Sequence, residues 1–391
     1  MDVMTWLLDS DPAIRWQVLR DLADAPTEEV AAERSRVATT GWGARLLDLQ
    51  GADGQWAGGT YLPEHDTQPG QPWTATAFSL QLLRELGVSP ASTRVRTALE
   101  RVRENSRWEY DGSRFFNGEV EPCINGLTVG IGAYFGERVD GVVERLTTDQ
   151  LADGGWNCEA ENGSVRSSFH STIAVLDGLR EYEDAVDGED AVALARTRGH
   201  AYLLSRHLMR RLSTGEIVDN DWLQFSFPPR WHYDVLRALD YFRASGVGYD
   251  TRMDEALALV ESKRGADGRW LLENTNPGSV HFEMDDGDGK PSRWNTLRAL
   301  RVLRWFGRAL SRYCLRRPTA GLSGAGGACF GLPSAVSPPP TRLLRSVSAT
   351  SPRCLSEVQQ TSRPLWSFVR ERMPASPSWL SAPWAATVET P

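Results

Sequence analysis

Apolar positions recur with a helical period through the first three quarters of the chain, and they do so in two kinds of segment. Stretches such as WTATAFSLQLLRELG (73–87) and FHSTIAVLDGLREYE (169–183) are apolar or small over much of their circumference near the start, as in helices covered on two sides. Stretches such as VRTALERVRE (95–104) and MDEALALVESKR (253–264) carry one charged face, as in an outer layer. The first kind is predicted at 11–24, 73–86, 125–136, 168–183, 230–244 and 292–306. The second is predicted at 28–49, 91–105, 139–151, 190–208 and 252–264. The two kinds alternate, six against five. The sixth outer helix would follow Phe306, and the pattern breaks off there.

Between the segments lies a repeated turn. LQGADGQW ends at Trp56, TDQLADGGW at Trp156 and SKRGADGRW at Trp270, with weaker relatives ending at Trp108 and Trp222. Steps of 52, 48, 66 and 48 residues separate these five tryptophans in chain order, so the unit is roughly 50 residues with one insertion. In each turn the Gly supplies the left-handed conformation that stops a helix, the Asp tolerates the turn, and the Trp offers a large flat anchor. Helix pairs at this period form either an open solenoid or a closed ring. With about six pairs the expectation is an all-α, α/α toroid with an inner parallel ring and an outer ring, its last outer helix missing.

These Asp-Gly-x-Trp turns resemble the repeats of squalene cyclases, and the hairpin rhythm resembles the β subunits of protein prenyltransferases. The resemblance covers about residues 1–307. It implies the toroid and a hydrophobic isoprenoid or lipid partner; the reaction does not follow from the fold.

Composition changes the picture mainly at the C-terminus. Eleven of the 22 prolines and ten arginines, but only three acidic residues, follow Gly307. Toroid and tail are therefore divided at 1–311 and 312–391, the Pro/Ser/Arg-rich tail reading as disordered or as translated out of frame relative to the family. A net charge of −8 argues against a nucleic-acid partner. The acidic N-terminus does not read as a signal peptide, and no long apolar run is present, so a cytoplasmic location is expected, with nothing indicating contact with a membrane surface. Five irregularly spaced cysteines are expected to be thiols or ligands rather than a disulfide framework.

Reactive residue types gather in the loops that feed the inner helices, so residues far apart in sequence converge on one mouth. Cys123, Cys158, His170 and His232 would each lie at or just before an inner-helix start, and two thiolates with two imidazoles suit tetrahedral zinc. The alternative is small buried thiols and satisfied histidines. Prenyltransferase β subunits hold zinc with an Asp, a Cys and a His, but no Asp-x-Cys pair occurs here, so those ligands are not carried over. Squalene-type cyclases protonate an alkene with an Asp in an Asp-x-Asp-Asp motif. The nearest counterpart is Asp285, Asp286 and Asp288 in reversed order, with His232 as a further catalytic candidate; a solvated capping loop is the alternative. Trp73, Phe169, Trp231, Tyr233, Arg293 and Trp294 are the candidate substrate contacts, through aromatic faces or a cation. The expected function is an isoprenoid-binding, squalene-cyclase-like enzyme that performs acid-initiated cyclisation. A zinc-dependent prenyltransferase-like enzyme and a non-catalytic lipid- or peptide-binding ring are the alternatives.

Overall fold

The structure, a computed structural model, describes residues 1–66, 70–186 and 190–316, with side chains to Gly307. It is predominantly helical. In chain order the helices are α1 (Val3–Leu8), α2 (Pro12–Asp21), α3 (Thr27–Arg36), α4 (Gly41–Asp48), α5 (Thr76–Leu86), α6 (Thr93–Asn105) and α7 (Pro122–Phe135). They continue as α8 (Asp140–Thr148), α9 (Phe169–Ala185), α10 (Asp190–Ser205), α11 (Val235–Ala244), α12 (Asp254–Ser262) and α13 (Arg293–Arg316). None of the described helices is long and apolar enough to cross a membrane.

Both predicted series are present, with local departures that have chemical causes. The segment expected at 28–49 is two helices. Gly41 adopts φ +75°, and a Cβ there would meet the Asp11 carboxylate at 2.0 Å, so the chain turns tightly at this point. Asp11 accepts from the backbone N–H of Ala13 (2.8 Å) and of Trp42 (2.8 Å), capping α2 and fastening α4 to it. Helix α11 starts at Val235 instead of 230, because Pro228 and Pro229 offer no N–H and Asp234 is the cap, accepting from Arg237 N at 2.6 Å. Helix α1 was absent from the predicted pattern. It lies against the start of α13, where Arg293 donates to the carbonyls of Trp6 (3.3 Å) and Asp9 (3.2 Å). The described residues contain no sixth outer helix after α13, and the predicted tail lies outside them from 317 onward.

The tryptophan turns are built alike. The indoles of Trp56, Trp156 and Trp270 are fully buried, and each Nε1 donates at 2.7 Å to the carbonyl ten residues earlier, of Leu46, Leu146 and Val260. Their backbone N–H groups donate to Thr76, Thr172 and Thr296 at 3.1, 3.1 and 3.0 Å, in the first turn of α5, α9 and α13. Each turn therefore binds the end of one helix to the start of the next buried one. Trp108 instead bonds forward, to Phe115 O at 2.8 Å, and Trp222 packs against Phe169 and Tyr233.

Helices α2, α5, α7, α9, α11 and α13 form a sequence of neighbours. Trp16 donates to Leu86 O (2.9 Å) between α2 and α5. Helices α7 and α9 touch backbone to backbone: a Cβ on Gly126 would meet Ala174 O at 2.6 Å, and one on Gly178 would meet Gly126 O at 2.2 Å. Arg237 and Asp177 pair at 2.9 Å between α11 and α9. Arg301 of α13 pairs with Asp240 of α11, and also reaches Gln17 (2.9 Å) and Asp21 (3.3 Å) of α2. The last buried helix thus meets the first.

Candidate functional site

A cavity of 390 Å³ opens where the buried helices face one another. Phe78, Gln81 and Arg84 of α5 form one wall, and Cys123, Ile124, Gly126 and Leu127 of α7 another. Ala174 and Asp177 of α9, Arg237 of α11, and Tyr61, Arg230 and Trp231 from the connecting loops complete it. Its size is near the lower end of the roughly 300–1,000 Å³ range of small-molecule pockets, and its lining combines aromatic faces with a few charges. The Trp231 ring is held by its Nε1 bond to Gln71 Oε1 (2.9 Å) and by a stack on His232, with ring centres 3.7 Å apart.

The cavity's three guanidiniums are placed differently. Arg237 pairs with Asp177 and donates to His232 O at 2.6 Å, and Arg84 lies 3.6 Å from Glu181. Arg230 is 5% exposed, sits with its guanidinium 5.4 Å from the centre of the Trp73 ring, and adopts φ +56°. Burial lowers its pKa to about 10, so it is a cation at neutral pH. Burial also raises the carboxyl of Glu85, whose Oε1 accepts from Gln81 at 3.1 Å while Oε2 has no hydrogen-bond partner among the described residues.

Beside this cavity the two predicted cysteines meet. Cys123 lies in the first turn of α7 behind Pro122, and Cys158 begins the short 3-10 turn Cys158–Ala160 that follows Trp156. Their sulfurs are 2.6 Å apart. Cys123 Sγ is 3.5 Å from Glu121 Oε2, and Cys158 Sγ is 3.3 Å from Ser171 Oγ. One donor atom each from Glu121, Cys123 and Cys158 falls within 4.8 Å of the others. The neighbouring Cys158 thiol, burial and Glu121 together push the Cys123 thiol well up. Desolvation raises Glu121 and takes Glu119, two residues earlier, to about 7.

The histidines expected to complete a zinc site do not join this cluster. His170 Nδ1 accepts from the backbone N–H of Tyr233 at 2.9 Å, which leaves the proton of the neutral ring on Nε2. Burial lowers its pKa to about 4 and that of His232 to about 3, so both rings are neutral. His232 belongs to the stack with Trp231, and its buried Nδ1 has no partner among the described residues. The expected pair of cysteines and pair of histidines is therefore corrected to two cysteines with Glu121. The fit to a metal is chemical: two thiolates and a carboxylate are three ligands of a kind that zinc accepts, with a fourth position left open. Sulfurs sharing a tetrahedral zinc lie about 3.8 Å apart, so these two would separate by roughly 1 Å on binding.

The carboxylates expected to supply a catalytic proton lie elsewhere. Asp285 accepts from Ser292 Oγ (2.8 Å) and Arg293 N (3.3 Å), which makes it an anchor for the start of α13; burial raises its pKa to about 6. Asp286 and Asp288 are exposed, and Asp288 accepts from Thr275 Oγ1 at 2.5 Å. None of the three lines the cavity. The capping loop explains their clustering without catalysis.

Of the six expected substrate contacts, Trp231 alone lines the cavity. Trp73 stands behind the wall, edge-on to Phe78 and under Arg230. Phe169 and Tyr233 pack with Trp222, and Tyr233 OH donates to Leu208 O at 2.5 Å. Trp294 stacks on Phe227 and Arg293 holds α1. Arg84, Asp177 and Arg237 were missed as site residues. Each is a single charge within an otherwise apolar helix turn, and that signal was available. No family model matches the chain, and no curated protein matches it.

Proposed function

We propose that the buried helices close into an α/α toroid and that the central cavity holds an apolar isoprenoid-type substrate, as in a squalene-cyclase- or prenyltransferase-like enzyme of the cytoplasm. The observation that carries this reading is the cavity between facing buried helices, with Tyr61, Phe78, Ile124, Leu127 and Trp231 on its walls. Aromatic and branched apolar walls stabilise a hydrocarbon chain by removing it from water, and aromatic faces also favour a developing cation. The test is native mass spectrometry of the full chain mixed with geranyl and farnesyl compounds, followed by product analysis. A bound prenyl compound, displaced in Leu127→Trp because the indole fills the cavity, supports the reading. No binding by the wild-type chain overturns it, and binding without turnover makes the chain a binder instead of a catalyst.

A second reading concerns the reaction. The convergence of Glu121, Cys123 and Cys158 beside the cavity favours a zinc-dependent transferase over acid-initiated cyclisation, whose expected Asp285 is engaged at the start of α13. Zinc bound there would supply Lewis acidity and hold a thiolate at neutral pH. The chain's own contribution is to bring a carboxylate and two thiols together in the first turn of α7 and the turn after Trp156, releasing protons on binding. Chelator-treated full-length protein re-equilibrated with zinc should retain about one equivalent by elemental analysis, and the Cys123→Ser/Cys158→Ser variant should lose it. Retention below roughly 0.1 equivalent by the wild-type chain would remove this reading.

A further inference from the structure

Arg230 is the cavity's unpaired charge. The other two arginines on the wall have carboxylates, Asp177 for Arg237 and Glu181 for Arg84. The Arg230 guanidinium makes no hydrogen bond and no ion pair among the described residues, although 95% of the residue's surface is buried, its relative exposure being 5%. Its one close neighbour is the face of Trp73. Glu85 and Glu283 favour its charged form electrostatically, but neither comes within ion-pairing distance. A buried cation with five donors and no acceptor is among the costliest arrangements a fold can hold, and it persists where a ligand or the fold's other contacts compensate.

The backbone is arranged to hold it there. Arg230 occupies the left-handed region, unusual for a non-glycine residue, and its carbonyl accepts from Gln81 Nε2 (3.0 Å) and from Arg237 (3.3 Å). Two side chains of the cavity wall therefore pin the strained peptide, and strain of this sort concentrates at ligand-binding positions. The guanidinium fork matches the geometry of a carboxylate or phosphate, and apolar walls lie across the same cavity from it.

From this we infer that the cavity's ligand carries an oxyanion head that pairs with Arg230, with its apolar chain lying against Tyr61, Phe78 and Leu127. The inference rests on the isoprenoid-cavity reading and narrows it: an uncharged hydrocarbon or alcohol would leave Arg230 unpaired, whereas a prenyl carboxylate or phosphate would not.

Three ligands with one hydrocarbon chain separate the possibilities: geraniol, geranic acid and geranyl monophosphate, each titrated calorimetrically into the full chain at fixed salt. The expected result is that at least one anion binds roughly tenfold or more tighter than geraniol, as a charge-assisted hydrogen bond in a dry site requires. Whichever anion binds tighter identifies the head, carboxylate or phosphate. In Arg230→Gln that advantage should vanish while geraniol binding is retained, and Arg230→Lys should restore part of it. If all three bind equally to the wild-type chain, the oxyanion inference is overturned and the cavity reading stands. If none binds, the cavity reading itself is overturned. An anion preference that survives in Arg230→Gln overturns the assignment to Arg230. The wild-type comparison needs no variant, so a folding defect in Arg230→Gln leaves the central question decidable.

Discussion

Replacing Asp240 by Asn tests how the first and last buried helices are held together. Asp240 of α11, with a side chain 13% exposed, accepts from Arg301 of α13 through Nε (2.7 Å) and Nη2, and from Arg243 at 2.8 Å, with Arg298 3.8 Å away. Those arginine side chains are 12%, 19% and 5% exposed, and the same Arg301 reaches Asp21 and Gln17 of α2. The Asn variant keeps the shape and removes the charge, so three poorly hydrated guanidiniums would share Asp21 alone. Removing one partner of a buried charge set costs about 3–5 kcal/mol. Unfolding entropy of about 2.1 cal/mol/K per residue, taken over roughly 310 ordered residues, converts this to a fall in Tm of about 5–8 °C. Scanning calorimetry at pH 7 is the assay. Glu261→Gln is the control, because its partner Arg264 is 36% and Glu261 52% exposed, and an exposed pair contributes under about 1 kcal/mol. A fall below about 2 °C for Asp240→Asn, or one no larger than that of the control, would refute the reasoning. The pH dependence has a definite sign. The arginines hold the Asp240 carboxyl well below its ordinary 3.8, so its contribution is complete above that value and is lost as pH falls beneath it. Wild type and variant should therefore converge in strongly acidic solution and differ fully at pH 7.

Other substitutions probe other parts of the structure. Trp156→Phe leaves the buried carbonyl of Leu146 without its donor and should lower stability by about 1–3 kcal/mol, measured by urea denaturation; an unchanged midpoint would contradict the anchoring role of the turn. Gly126→Ala places a Cβ 2.6 Å from Ala174 O, a backbone atom, so α7 and α9 must move apart; the variant should lose at least about 1–3 kcal/mol and the cavity's ligand affinity together, and wild-type behaviour in both would show the contact to be slack. Asp285 has its pKa raised by burial to about 6, so the stability it contributes is present below 3.8 and is lost as pH rises through 6. Asp285→Asn should consequently melt no lower than wild type at pH 7, with the difference shrinking towards pH 4, and it should retain product formation. Loss of turnover with an intact fold would return this residue to the reaction.

The placement of residues followed from sequence to different depths. The helix series were legible because one-sided and two-sided burial leave different apolar patterns, and because glycine in a left-handed turn has few substitutes. The tryptophan turns were legible for the same reason, down to their shared chemistry with an upstream carbonyl. Two cysteines 35 positions apart could be suspected together, since the repeat brings every inner-helix start to one end. The histidines could not be sorted in advance. His170 and His232 occupy equally suitable positions in the chain, and only the bond from Tyr233 N and the stack on Trp231 remove them from the sulfur cluster.

The acidic run at 285–288 shows the converse limit. A local run of carboxylates looks the same whether it faces a substrate or caps a helix, and the position of Ser292 and Arg293 decides it here. Periodicity and turn chemistry are properties of neighbouring residues, so the sequence by itself determined the helices, their order and their repeated turns. Pairing of charges and closure of a cavity depend on distances between residues that the chain separates. Whether Arg230 has a carboxylate, whether Glu121 stands beside the two thiols, and which helix faces meet around 390 Å³ of space were decided only by the tertiary structure.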